Sequence, residues 1–230
     1  MSDYRLHYWP IPFRGHFIRF VLATAGVGWD EADAEAVDEL RDAAVVDQPV
    51  PFMAPPLLTR LRDGRSQAQL PAILTWLGRD HDLSADPVTE VRVMCDACDI
   101  LLEITCHHGL TMWDRANWRD FRTVRLRRWL AIHDRLVREE RATPYLFDRQ
   151  TPGIADLTLT ALWHTMGDRL PGLRRDIGLH APALTRLVDR GAATPAVAGV
   201  IDDWHGRRPL YCGGQIEASL LDMLEKDHAP

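Results

Sequence analysis

The sequence predicts a small α/β domain (residues 1–80), a linker (81–87) and a larger all-α domain (88–230). Three observations carry this division. Between Tyr4 and about Leu77 the patterning switches every few residues between strand-like and helix-like runs. At "HDLSADP" Asp, Ser and Pro interrupt both periods. Beyond it, every apolar run repeats at helical spacing.

In order, "RLHYW" reads as a short strand and "RGHFIRFVLATAG" as an apolar helix, followed by a weak strand. "AVDELRDAAVV" reads as an acidic helix. The Pro-broken "PVPFMAPPLLTRL" leads into a strand, "DG" turns the chain into another, and "QLPAILTWLG" starts a third helix. In the second half, Val91, Met94, Cys98, Leu101, Leu102 and Thr105 share one face of a helix extending to His107. Similar periods recur in "FRTVRLRRWLAIHDRLV", "IADLTLTALWHTM", "PALTRLVDR" and "IEASLLDMLE".

With 46% hydrophobic residues in a chain of 230, there is ample material for a packed core. Acidic residues outnumber basic ones by 33 to 27 and the two are interspersed, which argues against nucleic acid as a partner. Nearly all the basic residues are Arg, with Lys226 the single Lys, and no mechanism is read from that bias. The N-terminus lacks a basic leader with an apolar core, and no apolar run reaches the roughly 18 residues of a membrane helix. A soluble, cytoplasmic protein without a membrane partner is expected. Four cysteines in so long a chain do not make a disulfide framework. Cys95, Cys98, Cys106, His107 and His108 supply soft ligands, but within one helix Cys95 and Cys106 lie about three turns apart, so no metal site is expected.

Tyr8, where the first strand runs into Pro10 and Pro12, is either a half-buried strand aromatic or a catalytic hydroxyl. "YRLHYW....RGHFIRFVLATAG", "APPLL" followed by "DG", "QLPAILTWLG" and "GIADLTL" occur in order and at compatible spacing, and together they resemble the cytosolic glutathione transferases along essentially the whole chain. The resemblance is to the Tyr-type classes, with a bacterial source expected. It implies a thioredoxin-like first domain, an all-helical second domain that contributes the electrophile site, and a homodimer with the third and fourth helices at its interface. Tyr8 falls on the family's catalytic position, and Arg19 on an arginine common in the first helix.

The implied activity is conjugation of reduced glutathione, as co-substrate and without a cofactor, to a small apolar electrophile. A thiol near pKa 8.5 is a minor thiolate fraction at neutral pH. Lowering it by about two units needs roughly 2.7 kcal/mol, within reach of one charge-assisted hydrogen bond plus a helix N-terminus. A Tyr hydroxyl, protonated at neutral pH, is a suitable donor.

The resemblance also places glutathione against Trp9, Arg14, Pro55, Pro56, Gln69 and Leu70. Pro56 is the expected cis residue, with Pro55 the alternative. If Pro56 is cis, Pro55 precedes it and has no N–H to offer the cysteinyl backbone. Leu70 stands where a Ser or Thr hydroxyl is usual, so the γ-glutamyl carboxylate would depend on Gln69 and on backbone N–H groups. Pro10 and Ile11, with Met94, Cys98 and Tyr211 opposite, are candidates for the electrophile site. Gly153 and Asp156 fall on the family's helix cap, where an Asp in the first turn reaches back to free N–H groups. A glutaredoxin-like redox role would need a Cys where Tyr8 and Trp9 stand. The competing reading is a non-catalytic ligand-binding or protein-interaction module of this fold with weak glutathione affinity.

Overall fold

The computed structural model describes residues 2–138, 143–207 and 210–226. β1 (Tyr4–His7), α1 (Gly15–Thr24), β2 (Trp29–Glu31), α2 (Ala34–Asp42), β3 (Leu57–Arg60), β4 (Arg65–Ala68) and α3 (Leu70–Asp80) follow one another. The four strands lie in the order β2-β1-β3-β4. β1 pairs parallel with β2 and antiparallel with β3, in a register that sets Leu6 opposite Leu58. β1 alternates as a half-covered strand should: Tyr4 and Leu6 are buried, while Arg5 points out and pairs with Asp30 on β2 at 2.6 Å. α2 is an outer helix, capped by Asp33, whose Oδ1 accepts from Ala36 N–H at 2.8 Å, and it buries only Val37.

The remainder is helical: α4 (Pro87–Ile104), a short turn α5 (Cys106–Gly109), α6 (Arg115–Asp120), a π-helical segment (Phe121–Arg125), α7 (Leu126–Arg138), α8 (Ile154–Arg169), α9 (Pro171–His180), α10 (Pro182–Ala192), α11 (Pro195–Arg207) and α12 (Gly214–Lys226). α8 is the axis of this half. It is buried all round, with α1 and α3 of the first half and α4, α9 and α10 of the second packed on it. The helix α1 is likewise buried from Gly15 to Leu22, because it lies between α3, α8 and α11. One apolar cluster therefore runs through both halves, from Leu6 and Phe17 to Trp163 and Leu184. Among the described residues no helix is long and apolar enough to cross a membrane.

The element order of the first half follows the sequence reading; the second half departs from it. α4 ends at Ile104, not at His107, and Cys106, His107 and His108 all take positive φ (47°, 55° and 59°). Cys106 is thus off the helix that carries Cys95 and Cys98, and among the described residues no group of His, Cys, Asp or Glu could hold a metal ion. "FRTVR" is π-helical and not the start of an α-helix. α6, α9 and α11 were not foreseen: Pro171 and Pro195 look like breaks in a sequence, yet a proline opens a helix well because the first N–H has no intrahelical partner.

Asp156 explains the start of α8. Its Oδ2 accepts from Gly153 N–H and its Oδ1 from Leu146 N–H, both at 3.0 Å and buried, so one carboxylate ties the helix to the preceding segment. Asp156→Ala leaves two buried amides unpaired and is expected to cost about 3 kcal/mol. Urea denaturation reads this directly, and a loss below about 1 kcal/mol would mean that other groups cap α8.

Candidate active site

The loop between β1 and α1 turns Tyr8 inward. Its ring is 2% exposed and packs at 5.7 Å from the ring of Trp9. Gly15 is required beside it, since a Cβ there would come within 2.7 Å of Tyr8 Cδ1. The loop is held by Arg19, fully buried on α1, whose Nη1 donates to the Ile11 carbonyl at 3.0 Å. The same guanidinium forks onto Glu31 of β2 (Nε to Oε1 at 2.8 Å, Nη2 to Oε2 at 2.7 Å) and lies 4.0 Å over the ring of Trp204 on α11.

The Tyr8 hydroxyl oxygen accepts from the Arg14 backbone N–H at 3.1 Å. Burial pushes its pKa up to about 12, against the opposing influence of the Arg14 amide and the Arg14 and Arg19 charges, so the phenol stays protonated. With the Arg14 amide on one lone pair, its own proton is left to donate. Tyr8 lines two cavities, and the lining of one, of about 770 Å³, holds among the described residues one Arg (Arg14), one His (His108) and no Asp or Glu.

The structure brings Tyr8, Trp9, Ile11, Arg14, Pro55, Pro56, Gln69 and Leu70 to this one cavity. The Pro55–Pro56 bond is cis, so the residue before the cis proline has no N–H. Trp9 is braced by its Nε1 donating to Asp38 on α2 at 2.9 Å. Gln69, exposed and at φ 69°, opens α3 without a side-chain cap; Leu70 is 1% exposed, and Pro71 removes an N–H from the same turn.

The other candidates lie off this lining. Pro10 faces a second cavity of about 870 Å³ between β2 and α11, which Tyr8 also lines; of its carboxylates, Asp30 and Glu31 are paired with Arg5 and Arg19, and Asp33 caps α2. Met94 is buried, with its Sδ accepting from Thr75 Oγ1 on α3 at 3.8 Å. Cys98 Sγ accepts from Arg14 Nη1 at 3.7 Å, and burial raises its thiol pKa. Tyr211 lies off the lining, its ring edge-on to Phe13 at 5.3 Å and its buried hydroxyl without a partner among the described residues. Its loop is fixed by Glu217 Oε2, which accepts from the amides of Tyr211, Cys212 and Gly213.

Met53, Thr105, His108, Cys212 and Ile216 were not foreseen on the lining. His108 and Cys212 reach it through turns, which helical periodicity does not register. Burial and the neighbouring Glu217 push the Cys212 thiol up to about 12, so it is not a ready thiolate.

A family model described as "Glutathione S-transferase, C-terminal domain" matches residues 89–223, more than half of the chain. The chain belongs to the glutathione S-transferase family. Among solved structures, this transferase is similar to the Pi-class glutathione S-transferase of Onchocerca volvulus, at 16% identity over 94% of this chain and 100% of that one, with a TM-score of 0.73. It is also similar to the glutathione S-transferase of Ascaris lumbricoides (20% identity, 91% and 98% covered, TM-score 0.67). A third is prostaglandin synthase D of Nilaparvata lugens (16% identity, 91% and 100% covered, TM-score 0.64). At these identities the likeness is one of fold: a four-stranded sheet at the N-terminus and a mostly helical remainder. No curated protein matches the transferase.

In this transferase, burial, then the Arg14 charge and His107, lower the pKa of His108, favouring its neutral ring. NMR titration should find its midpoint below about 6.5, and Arg14→Met should move that midpoint upward. A midpoint that stays put in the variant would mean that Arg14 does not face the ring.

Proposed function

We propose that the transferase conjugates reduced glutathione to a small apolar electrophile, with the Tyr8 hydroxyl donating to the glutathione thiolate. The observation that carries this reading is the polarity of Tyr8: its oxygen accepts from Arg14 N–H, which leaves its proton to donate toward a cavity whose described lining carries Arg14 and no carboxylate, while in the second cavity it borders Asp30 and Glu31 are paired with Arg5 and Arg19. An anion is favoured there, and so is a donor that does not ionise. Glutathione would lie along Trp9, Arg14, Pro55, Pro56, Gln69 and Leu70, with the electrophile against Ile11 and the apolar atoms of Phe13, Met53 and Ile216. No cofactor is needed. Dimerisation through α3 and α4 fits the exposed Val88 and Val91 at the start of α4, and a cytoplasmic setting fits the free thiols.

A second reading, a ligand-binding module without catalysis, draws on Pro55, Leu70 and Pro71, each of which removes a group that would hold glutathione. Calorimetric titration with reduced glutathione, with the ultraviolet thiolate absorbance followed across pH, separates the two. Saturable binding with a depressed thiol pKa supports the enzyme, and no binding at millimolar glutathione supports the module.

Tyr8→Phe removes only the hydroxyl. It should raise the bound thiol's pKa and lower turnover by about 10- to 100-fold with less effect on glutathione affinity, the worth of one hydrogen bond to an anion. An unchanged rate would point to a different donor. Leu70→Ser should tighten glutathione binding while costing about 2–3 kcal/mol of stability through lost apolar burial. Calorimetry beside urea denaturation reads both, and weaker binding would place the γ-glutamyl carboxylate elsewhere.

A further inference from the structure

Arg19, which holds the loop of Tyr8, has a third polar neighbour besides Glu31 and the Ile11 carbonyl. His16, one turn earlier on α1, is 3% exposed. Its backbone N–H donates to the Pro12 carbonyl at 2.7 Å, so the residue is tied to the end of the same loop. The ring packs at 5.2 Å from Phe20 and edge-on at 5.3 Å to Trp204, the indole whose face the Arg19 guanidinium covers. Its Nδ1 lies 3.4 Å from Arg19 Nη1, the nitrogen that also donates to Ile11.

A guanidinium has no acceptor, so Nδ1 must accept in this pair. An imidazole that accepts at Nδ1 is neutral and carries its proton on Nε2. The surroundings enforce that state. Burial holds the His16 pKa well below the usual histidine range, helped by the charges of Arg19 on the same helix, Arg169 and His164 on α8 and His205 on α11. The carboxylates beside these groups are already engaged, Glu31 by Arg19 and Asp168 by Arg169 and His205.

The neutral ring completes the partners of the guanidinium. Nε and Nη2 fork onto Glu31, whose side chain is partly exposed, while the two hydrogens of Nη1 are shared between Ile11 and His16. Without His16 one of those hydrogens would be buried unpaired, and the guanidinium could regain a partner only by turning from the Ile11 carbonyl. We propose that His16 is a positioning residue of the transferase: it accepts from Arg19 Nη1, sets the guanidinium in the orientation that grips the Ile11 carbonyl, and so aims the Tyr8 hydroxyl. This inference rests on the reading of Tyr8 as the thiolate's donor.

Two substitutions test it in the full chain. His16→Phe keeps a ring between Phe20 and Trp204 but has no acceptor, whereas His16→Asn offers an amide oxygen in the place of Nδ1 and never ionises. With reduced glutathione and 1-chloro-2,4-dinitrobenzene at neutral pH, His16→Phe should lower kcat about tenfold and raise the bound thiol's pKa, with KM for glutathione changed less than about threefold. His16→Asn should recover most of that loss. Nitrogen-15 NMR should find His16 as the Nε2–H tautomer. The urea midpoint of the wild type should fall relative to that of His16→Asn as the pH drops below about 6.5, because the unfolded chain takes up a proton that the folded one refuses. Full turnover in His16→Phe, a His16→Asn variant no better than it, or an Nδ1–H or doubly protonated ring at neutral pH would each overturn the proposal. If His16→Phe does not fold, the tautomer and the turnover of His16→Asn, expected within about threefold of wild type, decide. Absence of turnover in the wild type would sink the transferase reading itself. The Tyr8 ring resonances, displaced in His16→Phe and restored in His16→Asn, then decide whether His16 positions the loop.

Discussion

The site depends on a single buried guanidinium. Arg19 is fully buried, and its fork onto Glu31, its bond to the Ile11 carbonyl and its stacking on Trp204 join α1, β2, the loop after β1 and α11. Burying a cation without partners would cost several kcal/mol, so the surrounding structure must present those partners in one arrangement. That arrangement fixes the loop of Tyr8 and Arg14. The catalytic candidate is placed by a charge that does not itself line its cavity.

Within that frame the chemistry is set by direction. A phenol that accepted nothing could turn its hydroxyl freely. With the Arg14 amide on its oxygen at 3.1 Å, the Tyr8 proton has fewer places to point. Burial keeps that proton attached, and Arg14, with no carboxylate among the described residues of its lining, leaves the cavity of about 770 Å³ favourable to an anion. The glutathione side is sparser: the cis Pro55–Pro56 bond follows a residue with no N–H, and α3 opens with Leu70 and Pro71.

The irregular backbone lies where the cavities are. Three successive non-glycine residues at positive φ, from Cys106 to His108, and the π-helical run from Phe121 break helices that periodicity would have continued. The break after Ile104 turns Thr105 and His108 toward the cavity of Tyr8, and the π-helical run brings Phe121 beside Trp113. A straight α4 would have carried Cys106, His107 and His108 onward along its axis and left that wall incomplete.

The sequence by itself determined the order of strands and helices through Asp80, because local period and turn chemistry are short-range, and it determined Asp156 as a cap for the same reason. Tyr8, Trp9, Arg14, Pro55, Pro56, Gln69 and Leu70 were legible as one group only through motif order. Only the tertiary structure decided that Met94 and Tyr211 lie off the lining, that Pro10 faces a second cavity which Tyr8 also borders, and that His108 and Cys212 reach the lining. Those outcomes depend on which face of a helix or turn meets a distant element. Packing between segments far apart in the chain sets that, and local sequence period carries no record of it.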